Sequence, residues 1–460
     1  MKNSHLNQLI RSLSAQERRE ARRFLDSPFF NQRTDVVSLY TFLLERPQLP
    51  KKKAWRLLFP REDYDDQKMR LIMSYLSRLL EQYLAVKEQA ADEHGMHLQL
   101  ARAYRRRGMD AAFDRTARQL QKKLTAQPMR DAHFYQLQYH LEWEQHQLAS
   151  ASDPTDVQGL EALTQTVNAA YLLRQLRNIC LLVAHQTVYQ AAKPIELEDA
   201  VVRLAEQTKA GDLPAIAIYL DCYYMHRHPE EEEHFRCFRD GLLQADELFP
   251  EEETRGLYLM LINYCVRKLN DGADNYFREV LELYETGLER GFLLENGTLS
   301  RFTYYNVVAA GLRVGDLDRV SDFIHQYKGA LEKKYRESSF SFSLARLEYA
   351  RRNFGAVLEL LQKANYRDPL LNLAAKTLLL KTFYELDEYD LLQSHLDAMR
   401  NYLRRKRIIG YHRSNYLKII RYTEKILRLN LSNAAEVVTL RHEIEGETAL
   451  TERDWLLNCL

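Results

Sequence analysis

The feature that most constrains this chain is a helix-pair pattern recurring about every 35 residues. One unit reads Leu344-Ala345, Tyr349, Asn353-Phe354, Val357, Leu361, Ala364, Pro369. The unit before it reads Val307-Val308, Gly311, Gly315-Asp316-Leu317, Val320, Ile324, Tyr327, and the one after it Leu379-Leu380, Phe383, Asp387, Tyr389, Leu392, Leu396, Met399. The anchors Leu317, Phe354 and Tyr389 lie 37 and 35 residues apart. Apolar residues three and four apart draw one stripe along a helix. Helix pairs at a fixed period bury that stripe only against the next pair, which predicts a stack. The expected fold is all-α: a right-handed α-solenoid of about eight helix–turn–helix units after an irregular helical N-terminal domain.

Composition agrees with that expectation. Gly and Pro together make about 6% of the 460 residues, half the ~12% of average usage. The apolar share of 46% is enough for a large core, and 28% of residues are charged. With a net charge of +1, no global field recruits nucleic acid or an anionic membrane. The five cysteines, Cys180, Cys222, Cys237, Cys265 and Cys459, are odd in number, scattered and without a CxxC pair. That usage suits a reducing compartment rather than a disulfide framework. Met1-Lys2-Asn3-Ser4-His5-Leu6 contains no apolar leader core, and no stretch approaches the ~20 apolar residues of a membrane span. The expected location is the cytoplasm, with no membrane partner.

Three regions are expected: residues 1–95 as an irregular helical domain or cap, 96–430 as the repeats, and 431–460 as a helical C-terminal cap. Ser14-Ala15-Gln16-Glu17 has the form of a capping box opening a helix. Asp26-Ser27-Pro28 ends that helix, because a residue before proline avoids the helical region. Pro47, Pro50 and Pro60 break the next segments, and Asp65-Asp66 opens a long helix through Met69, Ile72, Met73, Leu76, Leu79, Leu80 and Tyr83. Leu100-Ala101, Tyr104, Gly108, Phe113, Ala117 and Leu120 start the paired pattern, and Pro128 closes that unit. Asp153-Pro154, Lys193-Pro194 and Leu213-Pro214 are further breaks. A helix pair is expected over about 251–290 with Gly291 after it, and Glu295-Asn296-Gly297 reads as a turn. A last long helix is expected over 411–429.

The spacing of Leu100-Ala101, Tyr104 and Gly108, and of Leu344-Ala345, Phe354, Ala364 and Pro369, resembles that of tetratricopeptide-repeat proteins. The resemblance covers about 96–128 and 300–406. It departs from the family in lacking the leading Trp and in placing Arg352 and Asp387 where Gly is usual. Val320, Val357 and Leu392 stand where a small Ala is common. Residues 302–331, through Tyr304-Tyr305-Asn306-Val307-Val308, also resemble a pentatricopeptide unit. The resemblance implies a helical stack with a binding habit, not a specific function.

Catalytic signatures are sparse. Cys222, His226, His228, His234 and Cys237 fall close together, and Cys222 and His226 share a helix face at i, i+4, a spacing that can hold a metal. The same residues read more simply as an inter-helix turn at Pro229 followed by the acidic first turn Glu230 to Glu233. No GxSxG, phosphate loop, GxGxxG or HExxH occurs. The expectation is a non-enzyme without cofactor or metal.

Two binding surfaces are legible. The resemblance implies that the first helix of each pair lines an inner groove, placing Arg346 and Tyr349 in one wall and Lys381 and Tyr384 in the next, with Tyr305 in an earlier unit. Both pairs are cation-x-x-Tyr, so cation and ring share a face. Such a wall suits an acidic or aromatic peptide, or serves as helix packing. The lysine–asparagine clamp that holds C-terminal carboxylates in some relatives has no counterpart at Tyr305, Phe342 and Thr377. The second surface is basic: Arg400, Arg404, Arg405, Lys406, Arg407 and Arg413, with Tyr402 and Tyr411 nearby. It fits phosphates, or a helix C-terminus whose dipole the cations complement. The expected function is a scaffold binding a protein or peptide, with nucleic-acid binding through the basic run as the alternative.

Overall fold

The structure is a computed structural model that describes residues 4–152, 157–189, 193–208, 213–363, 366, 368–405, 411–430, 433–447 and 450–460. Of the sequence readings above, Asp153-Pro154, Ala364, Lys406 and Arg407 lie outside these residues. The protein is all-α. Among the described residues the one sheet is a two-stranded hairpin, β1 (Leu294–Glu295) and β2 (Thr298–Leu299), turned by Asn296 and Gly297 at φ 51° and 73°.

By contact the chain divides into two compact units, residues 1–179 with 195–219, and 180–194 with 220–460. The early helices are α1 (His5–Ser12), α2 (Ala15–Asp26), α3 (Thr34–Glu45), α4 (Lys51–Leu58) and α5 (Asp66–Ala91). The Ser14–Glu17 capping box is formed in both directions, and Asp65 caps α5 through the Lys68 N–H. Trp55, Tyr40, Leu76 and Leu80 gather with these helices' other apolar residues into one core. Next come α6 (Glu93–Arg105), α7 (Asp110–Ala126), α8 (Ala132–Ser152) and α9 (Val157–Tyr189). A separate core made by Leu98, Ala101, Phe113, Leu120 and Leu141 joins α6, α7 and α8. Across it the buried Glu144 accepts from Arg102 and Arg105 at 2.6 and 2.7 Å.

Then follow α10 (Glu198–Gln207), α11 (Pro214–Arg227), α12 (Glu232–Gln244), α13 (Glu251–Asn270) and α14 (Tyr276–Glu289). The clearest sequence units give α15 (Arg301–Val314), α16 (Leu317–Gln326), α17 (Arg336–Ala350), α18 (Phe354–Lys363), α19 (Pro369–Glu385) and α20 (Tyr389–Arg405). Leu317, Phe354 and Tyr389 are each the first residue of the second helix of a pair. The chain continues with α21 (Tyr411–Arg428), α22 (Ala434–Glu445) and α23 (Arg453–Asn458).

From α13 to α21 each helix packs on the next, and alternate helices α15, α17 and α19 also touch in order. Ala345, fully buried, sits where α17 meets α18, among Val357, Leu361, Leu371 and Ala375. Gly311 lets α15 approach α16 closely, since a Cβ there would meet Val320 Cγ2 at 2.4 Å.

The turn inside a pair repeats one conformation. Gly108, Gly272, Gly315, Arg352 and Asp387 all have left-handed φ, between 57° and 90°. In four of these turns the next residue donates to a carbonyl five back: Met109 to Tyr104, Ala273 to Lys268, Asn353 to Glu348 and Glu388 to Phe383, at 2.9–3.0 Å. This closes the helix by satisfying its last carbonyls. Glycine takes that φ freely, whereas a side chain there costs ~1–2 kcal/mol. Arg352 and Asp387 adopt it because the turn geometry dominates.

Candidate functional site

The site is built on α17 and α19. Asp368 caps α19 by accepting from the Leu370 and Leu371 N–H groups at 2.9 and 3.0 Å, and Pro369 supplies a first helical residue that needs no N–H partner. Arg301 holds the same carboxylate at 3.1 Å. This fixes the rotation of α19 and so where Lys381 and Tyr384 point.

The two cation-x-x-Tyr pairs come together across the helices. Lys381 Nζ lies 5.0 Å from the Tyr349 ring centroid. The Tyr349 hydroxyl donates to Glu385 Oε1 at 3.2 Å, and Arg352 reaches Glu385 Oε2 at 3.5 Å. Burial, reinforced by the Glu385 charge, pushes the Tyr349 hydroxyl up, and burial does the same to Tyr384. Both tyrosines therefore act as neutral rings and hydrogen-bond donors.

This face is covered by the chain's own residues 450–460. Thr451 is clasped to the buried Asn415 of α21: its N–H donates to Asn415 Oδ1 at 2.9 Å, and Asn415 Nδ2 donates to its Oγ1 at 3.0 Å. From that clasp α23 lies on α19. Glu452 pairs with Lys381 at 2.9 Å. Trp455 stands edge-on to Tyr384 with centroids 5.4 Å apart, and its Nε1 donates to Glu385 Oε1 at 3.4 Å. The Lys381 ammonium, 5.7 Å from the Trp455 centroid, is thus bounded by two rings and a carboxylate. A cation desolvated against aromatic faces gains more than an exposed one. Asp454 reaches Arg313 of α15 at 3.0 Å, and the Tyr384 hydroxyl donates to the Cys459 carbonyl at 3.5 Å. Leu456 is fully buried with Leu373, Leu380 and Ile419. Burial of Trp455 and Leu456 contributes ~1.5–3 kcal/mol each.

The segment does not fill the space it enters. A cavity of about 770 Å³ remains beside α23, walled by Ala309 and Arg313 of α15, Phe342 and Arg346 of α17, and Ala374, Thr377, Leu378 and Lys381 of α19, and reaching Tyr416 of α21. Arg346 is half-buried in this wall. Burial lowers the pKa of its guanidinium, and the nearby Glu452 charge opposes that shift. No hydrogen bond or ion pair holds it among the described residues. Cys459 has a thiol that burial pushes up to about 11, so it is not a ready nucleophile.

Tyr305 stands apart from this group. Its hydroxyl shares a 2.7 Å hydrogen bond with Ser339 Oγ, and its ring meets Phe342 edge-on at 5.9 Å, between α15 and α17. In the basic run, Arg400 is held by Asp397 at 2.8 Å and Glu424 at 2.5 Å, while Arg404, Arg405 and Arg413 are exposed. The sulfur and imidazole candidates divide between interior and surface. Cys222 is buried, with its Sγ 3.5 Å from Met260 Sδ. His226 is buried with neither ring nitrogen hydrogen-bonded, and burial, with Arg267 and Arg227 nearby, takes its pKa down to about 4. Cys237 is exposed. Among the described residues the group whose ligand atoms converge, within 4.8 Å, is His228, Glu230 and Glu231, in the turn before α12.

Sequence reasoning did not assign Arg313, Glu385, Glu452, Asp454 or Trp455 to the site. The signal was the run Glu452-Arg453-Asp454-Trp455, an acidic–aromatic stretch complementary to a cation–tyrosine face. No family model, curated protein or solved structure matches the chain.

Proposed function

We propose that this protein is a non-catalytic scaffold that binds a protein or peptide on the α17–α19 face. The supporting observation is that Lys381 and Tyr384 hold a peptide segment through Glu452 and Trp455, with the Tyr349 ring behind Lys381 and Arg346 in the wall of the adjoining cavity. In this reading residues 96–430 form a tetratricopeptide-like right-handed solenoid of about eight pairs, whose first helices supply the inner wall. Residues 1–95 are an irregular helical N-terminal domain or cap, and 431–460 a helical C-terminal cap. The contribution of alternate helices α15, α17, α19 and α21 to one cavity favours that arrangement. Among the described residues no helix is long and apolar enough to cross a membrane. The buried cysteines Cys180, Cys222 and Cys265, none in a disulfide, fit a cytoplasmic setting.

The test compares capture from host extract by the wild-type chain, Arg346→Ala/Tyr349→Ala and Arg404→Ala/Arg405→Ala, each checked for an unchanged fold. The expected result is a nuclease-resistant protein partner lost only with the first pair. Loss with the second pair, or after nuclease, transfers the function to nucleic acid held by the basic run.

A further inference from the structure

Resting on that reading, we infer that the partner is a short helical segment of another protein carrying two carboxylates and an indole in the order of Glu452, Asp454 and Trp455. The chain's own segment reports the chemistry. Each of its three recognition groups meets a complementary one: Glu452 on Lys381 at 2.9 Å, Asp454 on Arg313 at 3.0 Å, and Trp455 between Tyr384 and Lys381. These receptors lie on α15 and α19, with α17 between them, so they read a spacing rather than a net charge. The opposite polarity would place a cation against Lys381 and Arg313, an arrangement that is penalised rather than merely unrewarded.

The self-contact is also incomplete. Helix α23 has six residues, and the 770 Å³ cavity beside it retains Arg346 without a hydrogen-bonded or ion-paired partner. A longer helix from another protein, carrying one further carboxylate, reaches what residues 450–460 leave unused. Segment 450–460 is thus a resident stand-in, and the true ligand is a better-matched version of it. A phosphate backbone satisfies the cations but leaves the Tyr384–Trp455 and Glu385–Trp455 contacts without a replacement. A second copy of this chain brings no carboxylate that its own segment lacks.

The experiment uses the full chain and fluorescein-labelled peptides. One peptide has the sequence of residues 450–458. A second keeps only the Glu, Asp and Trp at their spacing, with alanine elsewhere, and a third has both acids replaced by lysine. Binding is read by fluorescence anisotropy to the wild-type chain and to Glu452→Lys/Asp454→Lys, which reverses the two charges facing Lys381 and Arg313 and is checked by circular dichroism for an unchanged fold. The expected result is at least ten-fold tighter binding of the first two peptides to the variant, lost again on adding Lys381→Glu, and no binding of the lysine peptide. Hydrogen exchange on the unmodified chain gives an independent reading: amides of residues 450–460 should exchange faster when an acidic peptide is present. Equal binding of acidic and lysine peptides overturns the proposal, as does unchanged exchange at saturating peptide. A concentration-dependent dimer of the unmodified chain that the peptides dissociate also overturns it, and assigns the face to a second copy. If a captured protein depends on Arg346 and Tyr349 but the acidic–indole peptides fail, the scaffold reading stands and this inference falls. If neither binds, both fall.

Discussion

Arg346 and Lys381 belong to a wall of helices around a cavity, whereas Arg404 and Arg405 close the end of α20 and face water. The second region has the denser run of cations in sequence. The first has three, Arg313, Arg346 and Lys381, spread over α15, α17 and α19, yet there an ammonium lies between two rings and a carboxylate, and the Arg346 guanidinium has no hydrogen-bonded or ion-paired partner among the described residues. In the second region Arg400 is already satisfied by Asp397 and Glu424, and Arg404, Arg405 and Arg413 are exposed. The difference teaches that binding capacity follows what surrounds a cation, not how many cations are consecutive. An exposed ion pair is worth ~0–1 kcal/mol. A central interface anchor in a partly dry surface costs ~2 kcal/mol or more when truncated.

The strongest way to break this comparison is Trp455→Ala. If the α17–α19 face is a packed site, removing this nearly buried ring costs ~3–5 kcal/mol of stability. Arg404→Ala/Arg405→Ala should leave a denaturant titration within ~0.5 kcal/mol of wild type. Equal effects would show that the face is as loosely held as the helix end. Next in size is partner affinity. Arg346→Ala/Tyr349→Ala should weaken binding of the captured partner by ~2 kcal/mol, about 30-fold, and Arg404→Ala/Arg405→Ala by less than ~1. Titrations at low and physiological salt sharpen the point, since a phosphate-gripping site loses affinity steeply with ionic strength and an aromatic one only mildly.

Ala345→Phe probes the frame that brings α17 to α18. Overpacking that fully buried position should cost ~1–3 kcal/mol, and an unchanged melt would place Ala345 outside the helix crossing. A pH series tests the joint between the regions. His395 of α20 has a ring nitrogen 2.8 Å from the Lys376 carbonyl of α19, and burial holds its pKa below the ordinary histidine value. The unfolded chain therefore binds its proton first as pH falls, so the stability His395 contributes is complete above about pH 6.5 and declines below it. Melts at pH 7.5 and 5.5 should differ less for His395→Gln than for wild type. The smallest effect is a gain. Arg352→Gly should stabilise by up to ~1 kcal/mol through relief of the left-handed φ, offset in part by the lost contact to Glu385. The same change at Arg404, in the last turn of α20, should give no such gain and destabilise by less than the ~1 kcal/mol of a helix interior.

Much of the fold was legible because its determinants are local. The Ser14 box, the acidic start of α5 at Asp65 and Asp66, the Asn296-Gly297 hairpin turn and the first residues Leu317, Phe354 and Tyr389 all depend on neighbours within a few positions. Arg352 and Asp387 were harder, since neither residue type announces a left-handed turn, and only their register with Gly108 and Gly315 gave them away. The candidate site was half legible. Cation and ring spacing on one helix is a local property, so Arg346, Tyr349, Lys381 and Tyr384 could be named. What covers them could not, because Lys381 and Glu452 are 71 residues apart and Tyr384 and Cys459 are 75 apart. Periodicity carries no information about which non-adjacent segment returns to a wall. Tyr305 aligns with Phe342 rather than with Tyr349 at the 37-residue spacing, and its hydrogen bond with Ser339 draws it into the packing between helices.

The clasp between Thr451 and Asn415 has a kinetic side. Because it tethers α23 next to its own receptor, an outside ligand does not meet an empty groove at equilibrium but competes with an occupant whose local concentration is on the order of millimolar. The apparent affinity of any visitor is its intrinsic affinity scaled by the fraction of time the groove stands open. On the proposed function, weak and abundant acidic peptides would thereby be screened out, and the affinity a ligand must exceed would depend on the hydrogen bonds at Asn415. Loosening those bonds would retune that affinity without altering a single contact in the groove.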